Sequence, residues 1–266
     1  MFVPMFVEPS RNVGAYVVEG HIGQGHGHGC ILSLRRREHN PTANPDPHAH
    51  GTLPVMATLD HLVYATNDLD RTVAHLTERF GVAPKVGGSH LNWGTRNQLL
   101  SFGNGTYFEI IGPDPSLPEP EQPRPFGVDH IAGESLVAWA VAVTDIDAAC
   151  AASRRRGYDP GPAVAMQRAT ADGALLSWRL TTPPLEEFDG LVPFLLDWGS
   201  VAGSPMHPSA SAPKGIRLLS LRAEHPSPDR VNEALGAIDA PLTVGLGAAP
   251  RLFAEIDTPN GPVTLT

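Results

Sequence analysis

One pattern constrains this chain more than any other: an apolar strand, a capped helix and three further strands recur along it. In the first copy, Leu59 to Thr66 is a β-branched, apolar run ended by Asn67 and Asp68, residues suited to capping a helix. Leu69, Val73, Leu76 and Phe80 follow at three- and four-residue steps, which predicts one apolar helix face, and Gly81 closes it. Strands are expected at 84–86, 97–102 and 106–111, with Asn104-Gly105 as a hairpin turn between the last two. A second copy reads as a strand over 136–144, a helix from Asp145 to about Arg156 stopped by Gly157, and strands near 163–166, 174–180 and 192–198. A third begins at Ile216–Ala223, with a helix over 228–235 and strands at 242–244, 252–256 and 263–265. Asp70, Asp147 and Asp229 open the three helices, 77 and 82 residues apart. Repetition on this scale predicts an α+β fold of repeated βαβββ modules, approximately 58–112, 136–199 and 216–266.

Composition narrows the class. In 266 residues, 27 glycines and 27 prolines demand frequent turns, while 41% hydrophobic residues supply a core. The net charge of −9 argues against nucleic-acid binding, and the apolar runs are too short to predict a membrane span. Cys30 and Cys150 cannot build a disulfide framework, so a cytoplasmic location is expected. Residues 1–55 differ from the rest, holding six of the twelve histidines, short strand candidates at 13–18 and 31–34, and a proline-rich stretch over 40–54. They are expected to form a poorly structured segment, with Met56 as an alternative start of the native product and 56–266 as the folded domain. His26, His28 and Cys30 have metal-binding chemistry, but their glycine spacing preorganises no site.

Three runs carry a family likeness: LDHLVYATNDLDRTV, GGSHLNWGTRNQLLSFGNGTYFEII and LVPFLLDWG. In this order, over residues 58–266, the chain resembles the glyoxalase-like branch of the vicinal oxygen chelate superfamily (glyoxalases, bleomycin resistance proteins and dioxygenases). The resemblance implies paired modules whose curved mixed sheets form an open cleft. Members of that superfamily include metal-dependent lyases and isomerases, ring-cleaving dioxygenases and metal-free binding proteins, so the fold leaves the chemistry open.

The same resemblance puts metal ligands on the first and last strands of a module, which here match His61 and Glu109, with Glu109 also the candidate catalytic group. An imidazole and a carboxylate suit Zn, Fe, Ni or Mn. The bland alternative is a strand-end histidine and a buried, hydrogen-bonded acid. Later copies offer no replacement: Ala138 and Ser220 fall at the position of His61, and Leu196 at that of Glu109, with Asp197 one residue out of phase. Ring cleavage by a two-histidine iron site is therefore disfavoured. His90, in the predicted loop GGSHLNWG, is a candidate third ligand. Trp93, Arg96 and Asn97 are candidate substrate contacts, Arg96 through a bidentate fork. His130 reads as a decoy before the second module's first strand, His225 as a surface cap, and His75 is given no role. The expected activity is that of a glyoxalase-like small-molecule enzyme, a metal-assisted lyase or isomerase acting on a carbonyl or oxygen-rich substrate. The alternative is a metal-free protein that sequesters a small molecule. A homodimer is allowed, and neither nucleic acid nor membrane is expected as a partner.

Overall fold

The computed structural model describes residues 16–21, 31–36, 57–169, 175–183 and 187–266, the first two stretches by their backbone. Those two stretches are β1 (Tyr16–His21) and β2 (Ile31–Arg36), paired antiparallel. His26, His28, Cys30 and the stretch 40–54 lie outside the described residues, so the metal-binding reading of that segment is not addressed.

The first module runs β3 (Thr58–Thr66), α1 (Leu69–Phe80), β4 (Lys85–His90), β5 (Thr95–Gly103) and β6 (Thr106–Pro113). Its helix forms as the spacing predicts. The Asp68 side chain accepts the Arg71 N–H, and Gly81 sits at φ 73 with its N–H on the Thr77 carbonyl. Leu69, Leu76 and Phe80 are buried along one face, each worth about 2 kcal/mol of transfer free energy. Asn104 and Gly105 both adopt left-handed φ values, 53 and 84, as a tight hairpin between twisted strands requires. The second module repeats the order: β7 (Glu134–Ala142), α2 (Ile146–Arg155), β8 (Ala163–Ala169), β9 (Leu175–Thr181) and β10 (Phe194–Asp197).

Both modules join in one eight-stranded sheet of order β4-β5-β6-β3-β7-β10-β9-β8. In each, the first strand lies parallel to the last, β3 to β6 and β7 to β10, and β3 meets β7 antiparallel at the centre. The two halves are thus mirror-ordered about a central seam, and the sheet curves into a half-barrel. Side chains alternate between its faces. Leu62, Tyr64, Phe108, Ile110 and Trp139 enter the convex core with α1 and α2, whereas Val63, Ala65, Tyr107 and Ile111 enter the concave one. With both faces covered, the strands read as nearly continuous apolar runs.

The third copy keeps the order of elements and changes their wiring. After α3 (Pro208–Ser211) come β11 (Arg217–His225), α4 (Pro228–Ala237), β12 (Val244–Leu246), β13 (Arg251–Asp257) and β14 (Val263–Leu265). These strands form a separate sheet, β12-β11-β13-β14, in which the first strand is not beside the last. Leu221, Ala223, Val231, Leu235, Ala254 and Ile256 bury against the convex core, and the Thr266 carbonyl accepts the Leu136 N–H at 3.1 Å. This unit therefore braces the outside of the half-barrel.

Gly190, at φ 74 beside β7, has no room for a side chain: a Cβ there would run into the Val137 carbonyl oxygen. Gly190→Ala is expected to cost about 2 kcal/mol or more, from positive φ and backbone clash together, read as a lower urea midpoint.

Candidate active site

The central seam carries an irregularity that builds the site. On β3, Leu59 lies opposite Val141 and His61 opposite Ala140, so Asp60 is an extra residue in the pairing. Such a bulge breaks strict alternation and lets neighbouring side chains turn the same way. Asp60 Oδ1 and His61 Nδ1 meet at 2.6 Å, both residues nearly inaccessible. Across the parallel pair, His61 lies abreast of Tyr107 and stacks on it, with ring centroids 4.5 Å apart and planes at 18°. Two residues further along β6, on the same face, comes Glu109, whose Oε2 is 3.5 Å from His61 Nε2.

The next strand completes a polar chain. Asn97 donates from Nδ2 to Glu109 Oε1 at 2.5 Å and accepts the Gly88 N–H on Oδ1 at 3.0 Å. A Cβ at Gly87 would collide with that amide oxygen, so the glycine pair of β4 makes room for Asn97. His90, at the end of β4, contacts Thr95 Oγ1 through Nδ1 at 3.0 Å and Asn97 Nδ2 through Nε2 at 3.5 Å. It is a buried strand-end residue, where the sequence suggested a loop. Asp60 Oδ2 receives the Trp198 indole N–H at 2.9 Å and lies 3.4 Å from His207 Nε2.

Charge in this chain is set by two opposed effects. Burial pushes the His61 imidazolium down, but hydrogen bonds and charge from Asp60 and Glu109 outweigh it and raise its pKa to about 9. Burial pushes the Glu109 carboxyl up, and His61, His90 and Asn97 together bring it down to about 2. Asp60 behaves likewise: burial raises it, and His207 and His61 lower it to about 2. At neutral pH the chain thus holds an imidazolium between two carboxylates.

Carbon forms the remaining walls. The cavity measures about 510 Å³, open mouth included, and Phe126, Trp178, Leu180, Phe194, Leu196 and Trp198 face the polar groups across it. Phe126 adopts a left-handed φ of 62, a strained conformation for an aromatic residue that places its ring on the cavity.

Of the expected site residues, His61, Glu109, His90, Trp93 and Asn97 all line this cavity. Arg96 does not, which corrects its reading as a substrate contact. Alternation along β5 turns Thr95, Asn97 and Leu99 inward, while Arg96 faces the helix side and donates to Asp70 Oδ2 at 2.9 Å. Among its described residues the second module contributes no ligand: Leu196 lines the cavity, and Asp197 points away to accept the Ile146 and Gly199 N–H groups. Ser220 lies in the separate sheet. The expected metal set of His61, Glu109 and His90 lines one cavity without forming a three-donor group. Among the described residues no three His, Cys, Asp or Glu side chains are grouped to hold an ion. His61 and Glu109 are already paired with each other, and opposite them stand Leu180, Phe194 and Leu196, which donate nothing. A catalytic ion needs about three protein ligands, and this donor set does not fit one.

His130 is exposed in the turn before β7, His225 meets Asp189 at 3.3 Å, and His75 pairs with Glu134 at 2.7 Å, all away from the cavity. Sequence reasoning missed Asp60 and His207. A bulge leaves no sign in residue types, but His207-Pro208, a turn dipeptide opening a short helix, was a readable signal.

The ion chain should control stability. His61, raised from 6.5, contributes stability fully present below pH 6.5 and lost as pH rises through about 9. Asp60 and Glu109, lowered from 3.8 and 4.5, contribute stability present above those values and lost as pH falls through about 2. Urea denaturation should thus show a plateau near pH 5–6.5 and a loss of up to about 3 kcal/mol on the alkaline side. His61→Gln is expected to flatten that alkaline limb; an unchanged limb would contradict the assignment.

The family model described as "Glyoxalase-like domain" matches residues 59–238. No curated protein matches by sequence. Among solved structures, a hypothetical protein from Staphylococcus aureus aligns at 15% identity over 79% of this chain and 84% of its own, with a TM-score of 0.49. Methylmalonyl-CoA epimerase from Mycobacterium tuberculosis aligns at 20% identity over 59% of this chain and 98% of its own, TM-score 0.36. A Streptomyces coelicolor methylmalonyl-CoA epimerase variant in complex with 2-nitronate-propionyl-CoA aligns at 20% identity over 53% and 97%, TM-score 0.38. With its paired βαβββ modules and the family model spanning most of both, the chain belongs to the glyoxalase-like domain family of the vicinal oxygen chelate superfamily.

Proposed function

We propose that the concave site is a glyoxalase-like small-molecule enzyme site that moves a proton on a carbonyl compound, as an isomerase or lyase, without a metal ion. The observation that carries this reading is the buried Asp60–His61–Glu109–Asn97 chain on one side of an otherwise aromatic and aliphatic cavity. An apolar body would pack against the carbon walls, with the enolisable carbonyl turned toward His61 and Glu109.

The roles follow from the atoms. Asp60 holds Nδ1–H of His61, which leaves Nε2–H as a donor toward the cavity. A substrate carbonyl oxygen that takes this donor replaces Glu109 as its partner. The contact it replaces is long, 3.5 Å, so it yields easily. Glu109 then loses the hydrogen bond from His61, the largest of the contacts that depress its pKa, while burial, which raises it, persists. Its basicity therefore rises when substrate is seated. Asn97 keeps Oε1 occupied, and Oε2 is free to accept the proton from the carbon beside the carbonyl. Negative charge develops on the substrate oxygen, where His61 stabilises it. Delivery of that proton from Glu109 to a different atom of the enolate gives an isomer; loss of a leaving group from the enolate gives a lyase product.

A second reading rests on the walls themselves: Trp93, Phe126, Trp178 and Phe194 would suit sequestration of an aromatic compound with no reaction. Both cleft-forming modules belong to one chain, so neither reading requires a homodimer. Among the described residues no helix is long and apolar enough to cross a membrane. The cytoplasm remains the proposed compartment, on cysteine usage alone, and 56–266 the proposed folded unit.

Deuterium wash-in from D2O into a panel of enolisable carbonyl compounds, followed by NMR with the full chain, tests the proposal without knowledge of the product. Glu109→Gln should lower exchange by about 100-fold or more, while ligand quenching of tryptophan fluorescence is retained. Exchange unaffected by Glu109→Gln would overturn the role of that carboxylate, and tight binding with no exchange in the wild type would favour sequestration. Metal content should be equal in wild type, His61→Ala and Glu109→Ala. One equivalent present in the wild type and lost in both variants would restore the divalent-metal reading, with Zn, Fe, Ni or Mn as candidates.

A further inference from the structure

Asp60 has more partners than the orientation of His61 alone requires. Its Oδ1 holds His61, and its Oδ2 receives the Trp198 Nε1–H at 2.9 Å and lies 3.4 Å from His207 Nε2, both from outside the paired strands. Trp198 follows β10 directly, and His207 lies in the connector that leads to the third unit. This connector leaves the second module, buries Val201 and Ala212 in the concave core, and reaches the first module where the Pro213 carbonyl accepts the Ser101 N–H at 2.8 Å. It therefore straps the two modules together beneath the site, with His207 at its centre.

The His207 ring is held in one state. Its Nδ1 accepts the Ser209 backbone N–H at 3.3 Å and meets Ser209 Oγ at 2.7 Å, which leaves the ring proton on Nε2, facing Asp60. The ring is 6% exposed and packs edge-on against Trp198 and Tyr107, at centroid distances of 4.9 and 5.9 Å. Tyr107 in turn stacks on His61. The same imidazole thus touches both supports of the His61 ring, the carboxylate on its edge and the phenol on its face.

We infer that His207 is a positioning residue of the site: by donating to Asp60 and wedging Tyr107, it fixes the His61 ring with Nδ1–H on Asp60 and Nε2–H toward the substrate. This rests on the acid–base reading above and extends the machinery into the connector. The loss of His207 leaves Asp60 Oδ2 with Trp198 as its remaining side-chain partner and lets both the carboxylate and Tyr107 rotate. The geometry required of His61 then persists in only a fraction of molecules.

The test is the low-field proton resonance of His61 Nδ1–H in the 15N-histidine-labelled full chain, assigned by its disappearance in His61→Gln. It should be present in the wild type, persist in His207→Gln, whose amide still donates to Asp60, and shift or vanish in His207→Ala. With a compound found in the wash-in screen, His207→Ala should lower kcat about tenfold with KM little changed, and His207→Gln should recover most of it. If His207→Ala does not fold, His207→Phe, which fills the space and offers no donor, replaces it. An unaltered resonance and unaltered kcat in the donor-less variant would overturn the inference. Because the resonance needs no substrate, a failed wash-in screen and a failed role for His207 give different results.

Discussion

The antiparallel seam between β3 and β7 is the constraint on which the rest depends. It joins two modules through the edge of each first strand that its own module leaves open, and it makes a sheet wide enough to curl around a cavity. The seam is also where regular pairing fails. Without the extra residue at Asp60, alternation would send Asp60 to the convex core while His61 faced the cavity, and a carboxylate would be buried among Leu62, Tyr64 and Trp139. The bulge removes that conflict and gives His61 its partner in one step. Architecture and chemistry share the same few residues of one strand.

The two modules have divided their tasks. Every polar group of the Asp60–His61–Glu109–Asn97 chain comes from the first module, and the facing positions of the second hold Phe194, Leu196, Trp178 and Leu180. A symmetrical pair of modules could offer ligands from both halves to one ion. This pair instead sets a charged floor against a carbon ceiling. Coulomb interactions strengthen as water is excluded, so the apolar module raises the coupling among the three charges as well as shaping the pocket. The same exclusion makes each charge costly when its partner is missing, which is why the chain ends on neutral donors, Asn97 at one side and Trp198 at the other.

What the sequence reveals tracks how local each determinant is. The capped helix from Leu69 to Phe80 and the Asn104-Gly105 hairpin are settled within a dozen residues, and they stand where spacing puts them. Strand alternation also suffices to send Leu196 inward and Asp197 outward once the strand is in register. The same alternation, applied from Asn97, turns Arg96 outward to Asp70, although its guanidinium has the chemistry of a substrate contact. The bulge at Asp60 and the wiring of the third unit depend on pairings between distant strands. A periodic pattern gives the order βαβββ for all three copies but says nothing about which strand lies beside which. Nor could spacing reveal that His207 meets Asp60, since their contact is made by a connector rich in glycine, serine and proline that has no period to read.

The connector explains how a third unit outside the cleft can still bear on it. β11 starts just beyond Pro213, and the chain end is tied to β7 through Thr266, so the unit is fixed to the half-barrel at both of its ends. The stretch from Trp198 to Pro213 is therefore held at both ends, by β10 and by the third unit. A segment tethered this way loses little further entropy when its histidine docks, because the backbone is already confined. That is the condition under which a contact as modest as a 3.4 Å imidazole–carboxylate pair can hold a buried group in place. The third unit restricts the path of the chain that carries His207 to the cavity, and none of its strands lines that cavity.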